Sequence, residues 1–571
     1  MFSAVISSKL PAPLARISML SALSFLAPWA LAANPVTPNY GISDAVKDAN
    51  APIPPAKATP ADTPNIHQEM DKPMEIAEGE KIHIHVFRIE DAEFIDAKDW
   101  EPLLAPYRDR DLSMRDINEA ARLITALCRN RGYMVARAYV PKQNAQSGEL
   151  LIKVVVGRYG ELHLKNSSPV RDFLILGAFE HARDTTGIIQ RSALERAMLL
   201  VNDMPGTRMP DVNIAPGSTP ESSDFTIDAK PRNRISGYVV ADDYGSRFTG
   251  KNRLSTALDI QSPLGFADRL SLSAMSSKAK GLQNGRGAYS FPLSLNGWRG
   301  EIAASRTTYK LGGEYADLQA TGTAHTVEAT FSYPILRSRD SSLYLALNLA
   351  NKHLKDEIAA VSTTTAKRAK VASLSLEQDS YGKLGSIVSH TNVMISITYG
   401  RLGFDDAAQK SANAAGANTV GDYSKFNLSL TGNLTFNAQW SLSSWLRGQH
   451  SLGKNLDGSE QLSITGASGI KSFSEGVSGD NGFLLGAEIK YALPALLGFE
   501  NSSGIFFNYG NVRAAHSGYT TTGDSSIGEA GLSYSVSNSH VFARMQISQP
   551  MGNHRKNDHH NKALAQIGVL F

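Results

Sequence analysis

The sequence predicts a membrane all-β protein, a 16-stranded antiparallel transmembrane β-barrel that follows two small α+β domains of βααββ order. Three observations support this prediction. Residues 232–571 are short alternating segments separated by Gly, Asn, Asp and Ser. Residues 81–231 alternate strands with amphipathic helices, and the order occurs twice. The final segment, "NKALAQIGVLF", alternates with period two, which is typical of a half-buried strand.

The first 32 residues have the pattern of a secretory signal peptide. Lys9 and Arg16 precede an apolar stretch over residues 17–29, and Ala30 and Ala32 supply the small residues before a cleavage site. A transmembrane anchor is the weaker alternative, because the apolar run is shorter than the roughly 20 residues that a spanning helix needs. We therefore expect cleavage after Ala32 and export from the cytoplasm.

The composition fits an exported envelope protein. Against 57 Lys and Arg stand 54 Asp and Glu, a net charge of +3 over 571 residues, which argues against nucleic acid as a partner. Cys128 is the single cysteine, so no internal disulfide forms. It lies in a helical pattern, where we expect a small buried apolar side chain.

The region before the barrel divides into a linker and two domains. Residues 33–80 are rich in proline and are predicted to be a linker, in which only "GISDAVKDA" favours a short helix. Residues 81–158 and 159–231 each repeat the βααββ pattern. In the first domain, Ser113 and Asp116 are placed to cap a helix with one apolar stripe, and Gly132 is placed to end it.

The sequence contains no arrangement that indicates catalysis. His83 and His85 lie two apart on a strand and could hold a metal, but the favoured interpretation is a solvated face, so we predict no metal site. Neither paired carboxylates nor a Ser–His–Asp set occurs in a supporting context, and no phosphate-binding loop is present. We therefore predict neither an enzyme nor a bound cofactor.

Residues 232–571 predict a barrel with lipid outside. Segments such as "SLYLALNLANKHL" and "KFNLSLTGNLTF" alternate over the 9–11 residues of a membrane strand, short turns alternate with long polar loops, and no helix is predicted beyond Arg232. A soluble β-sandwich is the alternative, but a sheet system of this size would be unusual. In a barrel the odd residues of 563–571 face lipid, and Phe571 is expected to be the barrel assembly signal.

Several segments resemble one family, the outer-membrane transporters of two-partner secretion, also called haemolysin secretion/activation proteins. "YMVARAYVPKQNAQSGELLIKVVVGRYGEL" resembles the end of the family's first POTRA domain, "DDYGSRFTGKNRLSTALDIQSPLGFADRLSLS" its first barrel hairpins and "FSYPILRSRDSSLYL" a mid-barrel turn. The resemblance implies two periplasmic POTRA domains feeding an outer-membrane pore of a Gram-negative bacterium. It also implies export of one large, unfolded partner exoprotein, with outer-membrane lipid and the barrel assembly machinery as further partners.

The resemblance also identifies a loop, at about residues 453–482, that folds back into the pore. The family's Val-Arg-Gly-Tyr/Phe motif is matched by Ile470, Lys471, Ser472 and Phe473, with Gly479, Asp480 and Gly482 after it. The family's arginine pairs with an aspartate in a Phe-x-Asp-x-Gly pattern on the barrel wall, matched here by Phe506, Asn508 and Gly510. Because lysine and an amide replace the bidentate pair, we expect an inserted loop held less tightly. An ordinary solvent-facing loop is the alternative.

The functional prediction is a protein-conducting pore that recruits its cargo through the POTRA domains and exports it without ATP, using cargo folding outside. Strand addition to a POTRA sheet edge would bind an unfolded chain without side-chain specificity. One alternative is an insertase for barrel proteins from the same superfamily. The other is a barrel receptor for heme or metal, with His554, His559 and His560 in the last long loop.

Overall fold

The computed structural model describes residues 40–50, 65–68, 81–145, 147–183, 186–473, 476–519, 524–552 and 561–571. The predicted signal peptide, with Ala30 and Ala32, lies outside the described residues, and so do the loop histidines 554, 559 and 560. None of the helices in the described ranges has the length and apolarity that a membrane crossing requires.

The N-terminal region begins with one helix and one short strand, followed by the first α+β unit. In chain order these elements are α1 (Ile42–Ala49), β1 (Asn65–Gln68), β2 (Ile82–Ile84), β3 (Val86–Glu90), α2 (Ala97–Leu104), β4 (Arg110–Leu112), α3 (Met114–Asn130), β5 (Arg137–Tyr139) and β6 (Glu149–Val155). Strands β3, β6 and β5 form one sheet, and β2 pairs with β4 in a separate antiparallel ribbon.

The stripe predicted on α3 is its buried face. Ile117, Ala120, Ala121, Ile124 and Cys128 are buried against the sheet, and the sixth residue of the predicted stripe, Leu127, is partly buried in the same cluster. Burial raises the pKa of the Cys128 thiol to about 11, so the thiol stays protonated and unreactive, as expected for a small apolar core group.

The start of α3 is fixed by the predicted capping box. The Asp116 N–H donates to Ser113 Oγ at 3.3 Å, and the Ser113 N–H donates to Asp116 Oδ2 at 2.9 Å. The Ser113 hydroxyl also donates to Asp116 Oδ2, at 2.7 Å, and these bonds hold the pKa of the Asp116 carboxyl below its usual value.

Replacing Ser113 with alanine is expected to destabilise α3 by ~1 kcal/mol, the typical cost of losing an N-cap side chain. Because the pKa of Asp116 is depressed by folding, its contribution is present above the usual carboxyl pKa and is lost as the pH falls through the folded value. The acid sensitivity of α3 should therefore weaken in the variant. Amide hydrogen exchange along α3 in the intact protein measures both effects. Ser192→Ala, in the first turn of a later helix without a cap bond, is the matched control, and equal loss in both variants would contradict the prediction.

The second α+β unit repeats the order of the first. Its elements are β7 (Arg158–Asn166), α4 (Asp172–Glu180), α5 (Arg191–Asn202), β8 (Asp211–Pro216) and β9 (Ser222–Ala229). Its sheet has the order β1-β8-β9-β7, so the linker strand β1 adds in parallel to the edge of β8. The sheet edge of this domain accepts an extended segment from outside the domain.

The remaining strands form a closed antiparallel barrel. In chain order the elements are β10 (Ile235–Asp242), β11 (Arg253–Gln261), β12 (Arg269–Ser277), β13 (Leu282–Pro292), β14 (Arg299–Lys310), β15 (Ala320–Arg337), β16 (Ser341–Ile358), β17 (Thr363–Leu384), β18 (Ile387–Phe404), α6 (Ala407–Ala415), β19 (Gly421–Thr435), β20 (Trp440–Ser451), β21 (Leu462–Ser463), β22 (Ser478–Gly479), β23 (Asn481–Leu496), β24 (Phe499–Arg513), β25 (Ser525–Ser537), β26 (Val541–Gly552) and β27 (Lys562–Leu570). Counted over the described ranges, 16 of these strands make up the barrel, and β21 and β22 form a small ribbon of their own.

The last strand closes the barrel by pairing with the first. Tyr238 of β10 lies opposite Leu570 of β27, and the Gly237 N–H donates to the Phe571 carbonyl at 2.8 Å. Ile567 and Val569 are exposed on the outer wall, whereas Gln566 and Gly568 are buried towards the lumen. The predicted outward direction of the odd residues is therefore confirmed, and no sheet edge is left open at this seam.

The two surfaces of the wall differ in chemistry, as a membrane barrel requires. Large apolar side chains are exposed on the outside, among them Leu347, Leu349, Leu374, Leu376, Ile395, Ile397, Leu532 and Ile547. The buried polar side chains of the lumen include Gln449, Asn508, Glu529, Ser533 and Gln546. This inverted pattern matches lipid outside and a polar path inside, and it excludes a sandwich with a dry core.

Two sequence predictions about the barrel were wrong in detail. The strands reach 22 residues in β17, well beyond the expected 9–11, because the ladder hydrogen bonds continue past the hydrocarbon layer. The expectation that helices are absent beyond Arg232 fails in the loop after β18, where α6 forms. Asp406 caps α6 by accepting a hydrogen bond from the Gln409 N–H at 2.8 Å.

Candidate functional site: the lumen segments

Two segments lie against the lumen wall, the helix α1 and the loop between β20 and β23. The loop, called here the inward loop (residues 452–480), corresponds to the segment predicted at about 453–482. Because β10 follows the two N-terminal α+β units and successive strands alternate in direction, the inward loop starts at the end of the barrel far from those units. It folds back along the lumen face, so the alternative of an ordinary solvent-facing loop is excluded.

The predicted tip of the inward loop is anchored in an apolar cluster. Ile470 is fully buried and Phe473 is 7% exposed. Both pack in one hydrophobic cluster with loop residue Ile464 and with side chains of the wall, namely Leu484, Val512 and Ile527. Burial of this kind stabilises the inserted position by an amount roughly proportional to the apolar area removed from water.

Above this cluster a carboxylate joins the tip to the wall. Glu529, on β25, is fully buried and accepts hydrogen bonds at Oε2 from the Ser472 N–H at 2.9 Å and the Ser472 hydroxyl at 2.5 Å. Its other oxygen, Oε1, accepts a hydrogen bond from the Asn508 amide at 2.8 Å. Asn508 therefore reaches the loop through Glu529, its cross-strand neighbour in the ladder.

Lys471 supplies positive charge beside this carboxylate. Its ammonium nitrogen lies 5.4 Å from the centre of the Tyr244 ring, within the range of a cation–π contact. Burial lowers the pKa of this ammonium group, and the negative charges of Glu529 and Glu488 oppose that shift. The charge of the buried carboxylate is thus offset by a cation from the loop and by three hydrogen-bond donors.

Glu529 is not among the residues predicted from the sequence. The predicted partner of Lys471 was the Asn508 amide, in place of an acid lost from the wall, but the acid lies on the adjacent strand and the amide donates to it. The expectation of a loosely held loop rested on that loss. A signal was present in "SSIGEAGLSYS", where Glu529 shares the lumen face with Ile527 and Ser533 and is the carboxylate of that face.

The other predicted motif residues fix the path of the inward loop. Asp480 is 1% exposed, and its Oδ1 accepts hydrogen bonds from the Leu456 N–H at 3.0 Å and from Gln461 Nε2 at 2.9 Å. A Cβ on Gly479 would lie 2.9 Å from the backbone of Arg513, and a Cβ on Gly482 would overlap the Asn511 carbonyl. Glycine at both positions allows the backbone to pack closely against β24 where the loop ends and β23 begins.

Phe506 and Gly510 complete the predicted wall partners. Phe506 is 5% exposed, and a Cβ on Gly531 of the next strand would lie 2.7 Å from its ring. A Cβ on Gly510 would lie 3.0 Å from the Ile464 side chain of the inward loop. Gly531 therefore leaves space for the Phe506 ring, and Gly510 leaves space for the inward loop.

The first half of the inward loop is held by buried ion pairs. Glu460 lies 2.6 Å from Lys352 of β16 and 3.0 Å from Lys425 of β19, and Asp457 lies 2.8 Å from Lys367 of β17. Both carboxylates are almost fully buried. The loop is thus held against the wall at two separate places. The ion pairs of Asp457 and Glu460 hold its first half, and the Ser472–Glu529 hydrogen bonds hold its tip.

Helix α1 occupies another part of the lumen wall. Ile42 is fully buried in a cluster with Tyr40, Phe248, Met275, Tyr309 and Leu354, and its N–H donates to Asp356 Oδ1 at 2.9 Å. Arg253 forms a bidentate pair with Asp242, at 2.8 and 3.1 Å, and also donates to the Asp48 carbonyl at 3.2 Å. The weakly predicted segment "GISDAVKDA" is therefore a helix inside the barrel.

Helix α1 also contacts the inward loop. A Cβ on Gly458 would lie 3.4 Å from the Ser43 side chain, and a Cβ on Gly466 would lie 2.7 Å from Asp48 Oδ1. Both glycines belong to the inward loop. The two segments thus meet inside the barrel, and displacement of one removes contacts from the other.

Comparison with known proteins agrees with this architecture. The model of the haemolysin secretion/activation protein family ShlB/FhaC/HecB matches residues 221–536, and the ShlB-type POTRA domain model matches residues 82–157. The heme/hemopexin transporter protein HuxB of Haemophilus influenzae is 26% identical over 475 residues, covering 81% of this chain and 83% of that protein. The outer membrane transporter CdiB of Dickeya dadantii is 24% identical over 432 residues, covering 73% of each chain.

Solved structures show the same fold. CdiB from Escherichia coli superposes with a TM-score of 0.69 at 19% identity, covering 88% of this chain and 93% of that one. CdiB from Acinetobacter baumannii gives a TM-score of 0.61 at 13% identity, covering 89% and 95%. With the family model matching more than half of its length, the chain belongs to the haemolysin secretion/activation protein family.

Proposed function

We propose that this chain is the outer-membrane pore of a two-partner secretion system, which takes one large exoprotein from the periplasm and releases it at the cell surface. The observation that carries the proposal is the closed barrel, whose apolar outer wall and polar lumen provide a wet path through lipid. The segments that lie in that path, α1 and the inward loop, are held by apolar clusters together with polar and ionic contacts, and a passing chain would have to displace both segments.

We further infer that residues 81–158 and 159–231 are the two POTRA domains and that they recruit the cargo. The parallel pairing of β1 with β8 supports this, because it is the type of strand addition by which an extended cargo segment would bind. In this proposal the chain catalyses no reaction and uses no nucleotide, and folding of the cargo outside supplies the driving force.

Deleting residues 81–231 is expected to abolish export while leaving the barrel in the membrane, because the deleted region carries the sheet edges but no barrel strand. The measurement is the amount of the partner exoprotein that reaches the medium. Deleting residues 407–415, which form the exposed helix α6, is the control and should leave export near the wild-type level. Undiminished export without residues 81–231 would contradict recruitment by these domains.

The same strains distinguish secretion from the insertase alternative. If the chain inserts other barrel proteins, its loss lowers the amounts of several outer-membrane barrels. If it secretes one partner, only the exoprotein is lost from the surface and medium. Quantitative proteomics of outer membranes from the wild-type and null strains therefore separates the two functions.

A further inference from the structure

The ribbon of β2 and β4 in the first domain carries two imidazole rings beside two carboxylates. His83 lies on β2 and His85 directly follows that strand, with ring centres 4.6 Å apart. His83 Nδ1 is 2.7 Å from Asp111 Oδ1, and His85 Nδ1 is 2.7 Å from Asp109 Oδ1. All four side chains are roughly half exposed or more, so the cluster is open to the solvent around this domain.

The carboxylates set the orientation of the rings. When Nδ1 of a neutral imidazole carries the hydrogen and donates it to a carboxylate, the lone pair is left on Nε2. A carboxylate behind the ring also makes that nitrogen a better ligand, and metal-binding histidines commonly have such a partner. His83 is arranged in this way by Asp111, whereas His85 Nδ1 and Asp109 Oδ1, 2.7 Å apart, are close enough to contact one cation together.

Two backbone features hold the cluster in place. Asp109 is a non-glycine residue in the left-handed region, with φ of 53°, and its N–H donates to the Ile84 carbonyl at 2.7 Å. Gly148 has φ of 77°, and a Cβ there would lie 2.6 Å from Cδ2 of His85. The strained aspartate directs its carboxylate to His85, and the glycine leaves room for the ring. Strain of this kind is concentrated at functional positions.

We propose that His83, His85 and Asp109 bind a divalent transition ion of the zinc class. One ligand atom from each of the three residues lies within 4.8 Å of the other two, and rotation of exposed side chains closes this to the roughly 3.3 Å between ligands around a zinc ion. Two imidazoles and one carboxylate suit zinc and similar ions, whereas magnesium and calcium prefer oxygen ligands alone. A fourth position stays open to water or to a side chain of the cargo.

In this arrangement Asp111 is a positioning residue, since it contacts His83 and is not among the three ligands. The bound ion links β2 to the residue that precedes β4 and thereby stabilises the ribbon against opening.

The test uses the full chain in detergent, stripped with EDTA and titrated with ZnCl₂ by calorimetry, with bound metal counted after dialysis. His554, His559 and His560 are first changed to alanine in every sample, so that the last long loop contributes no histidine ligand. The test variant is His83→Ala/His85→Ala. The matched control is His163→Ala, which removes an exposed histidine beside Glu161 in the second domain.

We expect the parent and His163→Ala each to bind one zinc ion more than the double variant. Titration with MgCl₂ should give no comparable heat. Asp111→Asn should keep the stoichiometry and weaken binding about tenfold, as loss of an orienting carboxylate does. Equal zinc binding by the parent and the double variant would overturn the proposal. The two His–Asp contacts would then be ordinary surface ion pairs. Thermal unfolding of each variant in EDTA identifies any that is misfolded, and the single substitutions His83→Ala and His85→Ala then replace it.

Discussion

Replacing Glu529 with alanine is expected to release the tip of the inward loop and to lower export at least about tenfold. The variant removes the acceptor of both Ser472 bonds and of the Asn508 bond, and it leaves the Lys471 ammonium buried beside an empty space. Leaving a buried hydrogen-bond donor without its acceptor costs ~1–3 kcal/mol for each donor. The ion pairs of Asp457 and Glu460 are unchanged, so the tip around Ser472 should be released while the start of the loop stays on the wall.

Two measurements check this prediction. Secreted exoprotein in the medium reports function, and limited proteolysis of intact cells reports whether the inward loop has become accessible from outside. Glu328→Ala is the matched control, because Glu328 also faces the lumen and accepts from Arg286 at 3.3 Å but does not contact the loop. Normal export and an inaccessible loop in Glu529→Ala would contradict the role assigned to Glu529.

A double substitution tests whether the inward loop needs an acidic group at position 529 or only an acidic group at this place on the wall. Asn508→Asp alone sets a second carboxylate against Glu529, and two like charges at that distance cannot both be ionised. Asn508→Asp/Glu529→Gln moves the acid to the adjacent strand, where the family pattern has it, and keeps an acceptor for Ser472. The double variant should therefore export better than either Asn508→Asp or Glu529→Ala.

The sequence predicted the barrel because strand alternation is a local property. Each membrane strand must place polar groups inside and apolar groups outside. The resulting alternation can be recognised within about ten residues, as in "NKALAQIGVLF". The lengths of the strands were not readable, since the long β16, β17 and β18 extend where no lipid imposes the alternation. Beyond the lipid layer both faces of a strand contact water, so the sequence no longer distinguishes the inner face from the outer face.

The site was predicted only in part because its bonds join distant segments. Ile470 and Phe473 were identified as tip residues from a motif, and both are buried as a tip requires. Glu529 escaped notice because its role depends on which residue of β25 lies opposite Asn508, and register is a property of the assembled sheet. Helix α1 escaped firm prediction for a similar reason, since an eight-residue helix is marginal alone and depends on contacts with the wall.

That dependence gives the last prediction, which concerns Ile42→Asp. Ile42 is fully buried between α1 and the lumen wall, and a carboxylate there has no cation in the apolar cluster to pair with. A cost of ~3 kcal/mol shifts the ratio of docked to released helix by more than about a hundredfold. We therefore expect α1 to leave the wall and the barrel to conduct ions more readily.

Single-channel recording in planar bilayers measures the conductance, and sensitivity of cells to large antibiotics reports the same opening in the membrane. Asn50→Asp is the control, because it introduces the same charge at the exposed end of α1, outside the cluster. Since α1 also contacts the inward loop at Gly458 and Gly466, its release should raise the protease accessibility of that loop as well. Unchanged conductance in Ile42→Asp would mean that the inward loop alone obstructs the pore, and the physical coupling between the two segments would then carry no gating role.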